Sequence, residues 1–185
     1  MFEAISSLDI QILLFIQNFI RNDILDSIML IFTYLGEAGT VWIIISICLL
    51  FTKKHRKVGL VTLLCMLICY IANDLVLKNI FIRPRPFVTE PAIDVLSKLP
   101  SSLSFPSGHA CSSFAAAYAI AHGCGKKAGW VYVLSTVIAL SRPYVGVHYL
   151  SDILVGAAVG TLLCAIIYPI LSKAYDKTVN KKSAS

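Results

Sequence analysis

Residues 53–86, KKHRKVGLVTLLCMLICYIANDLVLKNIFIRPRP, decide the fold. The stretch opens on Lys53, Lys54, Arg56 and Lys57, runs through an apolar segment at 58–77, and closes on a proline-stiffened polar segment from Lys78 to Pro86. An apolar run of about 20 residues rises about 30 Å as a helix, the thickness of a hydrocarbon core. It therefore reads as a membrane-crossing helix with cations at one end and a second charged group at the other.

The same pattern recurs outward from it. Segments near 38–52, 107–122, 128–141 and 151–172 are each apolar enough to span or nearly span. Those near 107–122 and 128–141 are short, which suits helices packed inside a bundle. At the N-terminus, residues 10–20 (IQILLFIQNFI) are apolar with Gln11, Gln17 and Asn18 interspersed, followed by a polar break at Arg21–Asp26 and a second apolar run to Leu35. Two forms fit: an interfacial helix followed by a short spanning piece, or one long tilted helix. The start carries Glu3 and Asp9 and lacks a basic n-region, so it does not read as a cleaved signal peptide. The expected fold class is an all-α integral membrane bundle of about six helical elements. Residues 1–185 form one domain: an N-terminal region at 1–35, the bundle at 36–172 and a basic tail at 173–185.

Composition supports this class. The chain is 57% hydrophobic and 14% charged, with a mean hydropathy of +0.79, values foreign to an ordinary soluble domain. The net charge of +6 does not indicate nucleic acid. Its cations sit at helix ends and in polar islands, leaving no soluble basic face. Cys48, Cys65, Cys69, Cys111, Cys124 and Cys164 form no CxxC pair, and packing is their expected role rather than a disulfide or metal site.

Orientation follows from lysine and arginine. The 53–57 cluster, Lys126 with Lys127, and Lys173, Lys177, Lys181 and Lys182 fall on one side when five helices follow residue 37. The positive-inside rule assigns that side to the cytoplasm. Three polar islands then share the opposite side: Lys78–Pro86, Pro106–His109 (PSGH) and Ser141–Asp152 (SRPYVGVHYLSD). Their cations oppose the rule, as expected of charges kept for a function.

The islands carry complementary chemistry. Cleaving a phosphate ester or anhydride needs donors for its oxygens, a nucleophile, and an acid for the leaving oxygen. Lys78, Arg85 and Arg142 are suited to gripping phosphate, arginine bidentately and lysine as a compact charge. Ser107, Gly108 and His109 stand at a helix start, where backbone N–H groups favour an anion. His148 and Asp152 are spaced i, i+4, so the carboxylate can fix one imidazole tautomer and leave the other nitrogen free. Singly, each island has a plainer reading: snorkelling anchors, a helix cap, a structural hydrogen bond. His109, His148 and Asp152 also include metal-ligand types, but the adjoining cations disfavour a divalent ion. A non-catalytic lipid-binding or translocating protein is the other class to weigh; intact histidines and aspartate argue against it.

These residues resemble the type 2 phosphatidic acid phosphatase (PAP2) family, membrane relatives of vanadium haloperoxidases. Its signature K-x6-RP, PSGH, SR-x5-H-x3-D is met by Lys78 with Arg85–Pro86, by Pro106–Ser107–Gly108–His109, and by Ser141–Arg142, His148 and Asp152. The resemblance implies a haloperoxidase-like helical core and a lipid phosphatase that needs no metal or other cofactor. It implies His148 as nucleophile, Asp152 as its orienting partner and His109 as general acid. Lys78, Arg85, Ser107, Gly108 and Arg142 would bind the phosphate. The residues alone do not choose which histidine attacks. The implied partners are a membrane lipid phosphate and the bilayer, and the implied location is the bacterial inner membrane with the site facing outside. Small size and topology resemble members acting on undecaprenyl pyrophosphate in cell-wall synthesis; phosphatidylglycerophosphate, phosphatidate and lipid A phosphates stay open.

Further expectations are smaller. Asp74 lies i, i+4 before Lys78 and suits an ion pair. Gly156 and Gly160, like Ala115–Ala117, suit close helix packing. Arg83, outside the signature, is expected at headgroups or in water, and Tyr144 and Tyr149 at the interface or in the pocket. Glu37 falls on the site's side with no assigned role. The loop 87–103 is expected as a short interfacial helix gating lipid access, or as a passive connector.

Overall fold

The apolar part of the 53–86 stretch is helical throughout, and the helix ends inside the polar segment that follows, after Phe81. The computed structural model describes residues 2–183. In it, α4 (Arg56–Tyr70) widens into a π-helical stretch at Ile71–Leu77 before α5 (Lys78–Phe81). Ile82 then closes the run at φ 38°, and the prolines at 84 and 86 stop its extension. The π stretch falls on Asn73 and Asp74, at the edge of the site, where such bulges are often found.

The remaining elements are also helical. Ahead of α4 come α1 (Phe2–Phe15) with a π turn at Ile16–Ile20, α2 (Asp23–Leu35), a 3-10 turn at Glu37–Gly39, and α3 (Thr40–Phe51). After α5 come α6 (Pro86–Thr89), α7 (Gly108–Cys124), α8 (Trp130–Tyr144) and α9 (Leu150–Ser183). No strand occurs among the described residues. The α4–α5 run and α9 are long and apolar enough to cross a membrane. The α2–α3 pair also qualifies as one span bent by 53°. Counting that pair and the α4–α5 run as single units gives about six long elements.

The bundle centres on α7, whose Ala110, Cys111, Ala115, Ala116, Ala117 and Ala119 are all buried against α4, α8 and α9. Small side chains let neighbouring backbones approach, and α9 uses this fully. A β-carbon on Gly160 would collide with the Cys111 carbonyl oxygen, and one on Gly156 would stand 2.6 Å from that of Ser107. The GxxxG is thus an intramolecular contact. Gly160→Ala should push α9 from α7 and lower stability by about 1–3 kcal/mol, the usual cost of overpacking. A thermal midpoint in detergent equal to wild type would contradict this contact.

Outward faces are greasy. Leu154, Leu162, Ile166 and Ile170 on α9, with Leu67, Ile71 and Leu75 on the α4 run, are exposed. Such a belt is a liability in water and suits lipid. Lys57 pairs with Asp176 at 2.6 Å, and Cys124 lies 3.5 Å from His55. The loop after α3, the end of α7 and the lysine-bearing end of α9 therefore share one end of the bundle, as helix counting required.

Four open expectations are narrowed. The N-terminal segment is not one long helix: Arg21 breaks it, and Asn22 caps α2 by accepting from the Leu25 N–H at 3.1 Å. The basic tail at 173–185 is helical as far as Ser183, as the continuation of α9. Within the loop 87–103 only residues 87–89, the last three of α6, are helical; its later part is pinned by the Leu96 N–H donating to the Val145 carbonyl. Tyr144 and Tyr149 are buried rather than interfacial. The Tyr144 hydroxyl donates to Asp26 at 2.5 Å, and that of Tyr149 meets Thr89 at 2.6 Å.

Candidate active site

Each island enters the site from a helix end. Lys78 is the first residue of α5, directly after the π stretch, and is ion-paired with Asp74 as its spacing suggested. Arg85 sits between two prolines, and all three of its guanidinium nitrogens make contacts, with one Nη2 hydrogen to spare. Its Nε donates to the Ser102 carbonyl at 2.8 Å, Nη2 to the Ser102 hydroxyl at 3.0 Å, and Nη1 to the Val147 carbonyl at 2.8 Å. The same Nη1 lies 2.9 Å from His148 Nε2.

Ser107 caps α7, its hydroxyl accepting from the Ala110 N–H at 3.4 Å. Gly108 follows because a β-carbon there would come within 3.0 Å of Asp74 Oδ1. His109 Nε2 lies 3.3 Å from the Thr33 carbonyl and 3.7 Å from a Glu37 carboxylate oxygen. From the last turn of α8, Arg142 donates Nη1 to the Thr33 hydroxyl at 2.9 Å, while its Nε has no partner.

His148 precedes α9, and Asp152 occupies the first turn of that helix. Asp152 Oδ2 accepts the Tyr149 N–H at 3.0 Å, the reach-back of a capping box, and stands 3.2 Å from His148 Nδ1. Ser104 adds a hydroxyl donated to the same oxygen at 2.5 Å. With Nδ1 turned to a carboxylate and Nε2 to an arginine N–H, the imidazole is held as the Nδ1–H tautomer. Burial, with Arg85, Arg142 and Lys78 nearby, holds the His148 imidazolium form well below its usual titration range. The ring should therefore be neutral in unliganded protein at pH 6.5 and remain so as pH falls below it. Nitrogen-15 spectra of the imidazole check this; a cationic ring at pH 6.5 would contradict it.

Lys78, Arg85, Gly108, His109, Arg142 and His148 line one cavity of about 860 Å³, joined by Thr33, Glu37, Asp74 and the 97–102 loop. Ser107 and Asp152 lie just behind that wall, fully buried. All eight sequence-chosen residues thus converge. Sequence reasoning missed Ser104 and Thr33, ordinary hydroxyl residues with no motif to mark them. It misplaced Arg83: the side chain is mostly buried and ion-paired, at 2.6 Å to Asp152 and 2.9 Å to Asp9, rather than at headgroups or in water.

Three desolvated cations on one cavity, only one of them paired to a carboxylate, favour an anion there. Set in a lipid-facing helical bundle, they define a membrane protein that handles phosphate. The chain belongs to the PAP2 superfamily, whose family model matches residues 56–176. It is a phosphatase, a hydrolase acting on phosphoric esters, and a bacterial membrane protein. Two curated relatives and one solved structure illustrate the likeness. The decaprenylphosphoryl-5-phosphoribose phosphatase of Mycobacterium tuberculosis is 35% identical over 73% of this chain and 74% of its own. The undecaprenyl-diphosphatase BcrC of Bacillus subtilis is 30% identical over 82% of this chain and 75% of its own. The crystal structure of a transmembrane PAP2-type phosphatidylglycerolphosphate phosphatase from Bacillus subtilis is 29% identical. It superposes with a TM-score of 0.64, covering 96% of this chain and 85% of that one.

Proposed function

We propose that the protein hydrolyses a lipid phosphate monoester or pyrophosphate on the extracytoplasmic face, through a phosphohistidine at His148. The whole of residues 1–185 serves this one activity. The observation that carries the proposal is the convergence of three buried cations on the cavity that His148 also lines. Lys78, Arg85, Arg142 and the start of α7 at Ser107–Gly108 hold the phosphoryl oxygens. The Nε2 lone pair attacks phosphorus, the bond to the leaving oxygen breaks, and His109 gives that oxygen its proton. Nδ1 keeps its hydrogen throughout, so the phosphohistidine is cationic and Asp152 stabilises it. Water then attacks phosphorus and gives a proton to His109, the phosphorus–Nε2 bond breaks, and inorganic phosphate leaves with both rings restored. No step needs a metal.

The preferred substrate is undecaprenyl pyrophosphate. Both curated relatives are named for polyprenyl carriers, in line with a small chain whose site sits among greasy helices. Phosphatidylglycerophosphate is the second reading, favoured by the solved neighbour that spans nearly the whole chain. A panel of lipid phosphates assayed with purified protein in EDTA tests both points. The expected result is undiminished activity, highest on undecaprenyl pyrophosphate. A preference for phosphatidylglycerophosphate of about tenfold or more, worth about 1.4 kcal/mol in the transition state, would overturn the substrate choice. Loss in EDTA restored by added metal would overturn the metal-free chemistry.

A further inference from the structure

We infer that Asp9, on α1, is a positioning residue for phosphoryl transfer, acting through Arg83 on Asp152 and so on His148. This role rests on the chemistry proposed for His148. Asp9 precedes the segment matched by the family model, which begins at residue 56. Its carboxylate is almost wholly buried, on a helix whose Ile10, Leu13 and Leu14 pack with Ile93 and Tyr149. An ionised group in such a place persists only when paired.

Its partners lead straight to the reacting ring. Asp9 Oδ1 accepts the Ser151 N–H at 3.1 Å, one of the donors that a helix start leaves without an intrahelical partner. Oδ2 accepts the Ser151 hydroxyl and Arg83 Nη2, the latter at 2.9 Å. Arg83 Nη1 donates to the Ser151 hydroxyl at 2.7 Å and to Asp152 Oδ1 at 2.6 Å, and the guanidinium lies 3.8 Å over the Tyr149 ring. Arg83 thus spends one arm on each carboxylate. That division gives Asp152 Oδ1 to arginine and leaves Oδ2 for His148 Nδ1.

A guanidinium facing a single carboxylate prefers to grip both of its oxygens. Without the charge on Asp9, Arg83 would turn its fork fully onto Asp152, rotate that carboxylate and draw Oδ2 from the imidazole. The nucleophile would lose its tautomeric lock while the phosphate grip of Lys78, Arg85 and Arg142 stayed in place. The expected signature is a fall in kcat with little change in KM.

Asp9→Asn preserves shape and removes the charge. On the lipid phosphate hydrolysed fastest by wild type, kcat should fall on the order of 100-fold, the scale of a misplaced catalytic group. KM should stay within about twofold, as expected when only transition-state interactions are lost. Arg83→Gln tests the bridge from its other end and should give the same split. In an Asp152→Asn background, Asp9→Asn should cost nothing further, whereas a purely structural anchor would cost the same in both backgrounds. Folded Asp9→Asn and Arg83→Gln proteins with wild-type kcat, or full additivity with Asp152→Asn, would overturn the inference. His148→Ala separates the two levels. If it keeps phosphatase activity, the chemistry proposed at His148 fails; if it is dead while Asp9→Asn is unaffected, only the role of Asp9 fails.

Discussion

His148→Ala is expected to abolish phosphate release, by roughly 10⁴- to 10⁶-fold in kcat, while the protein stays folded. That range is typical of deleting a nucleophile that acts as part of a unit. Nothing nearby can substitute for it. His109 stands at the Thr33 carbonyl beside Glu37, without a buried carboxylate to fix its tautomer. His148 alone has Nδ1 against Asp152 and Nε2 against Arg85 on the cavity wall. The fold should tolerate the change, because the Tyr149 N–H and the Ser104 hydroxyl still hold Asp152 in place. Release of inorganic phosphate, measured alongside the thermal midpoint, checks both halves of the expectation.

Arg85→Lys should be nearly as damaging although it keeps the charge. The guanidinium makes four directed contacts at once, to Ser102 twice, to Val147 and to His148. An ammonium is a single point and cannot reproduce that fork. It would leave the Ser102 and Val147 carbonyls unpaired and set the cation away from where charge develops on the phosphoryl oxygens. Losing one preorganised donor of this kind costs about 10²–10³ in kcat, or about 3–4 kcal/mol. Near-normal kcat in Arg85→Lys would mean that this arginine supplies only general positive charge.

The sequence made part of this site readable and hid the rest for a physical reason. Cations, PSGH and the His–Asp spacing are local patterns whose chemistry shows in the residue types. Apolar run lengths likewise announced the helices, and lysine placement predicted which helix ends lie together. Partnerships across the chain left no such trace. Arg83 meets Asp9 across 74 positions, Ser104 meets Asp152 across 48, and Thr33 meets Arg142 across 109. Each depends on the angle at which two helices finally pack. One signal was available: Asp9 is an acidic residue beside a greasy run, and an ionisable group in such a setting calls for a partner. The breadth of α9 was hidden differently. Its apolar part ends near residue 172, but the lysines and Ala174 that follow are good helix formers, so the helix runs on past the belt.

The most direct test of the central claim is acid-labile label on the protein during turnover. Wild-type protein mixed with lipid substrate carrying radioactive phosphate should, on rapid denaturing quench at alkaline pH, hold phosphate in a base-stable, acid-labile bond. Peptide mapping should assign that bond to His148, and His148→Ala should trap none. Steady release of labelled phosphate with no protein-bound label at any quench time, or label mapped to His109, would contradict the account.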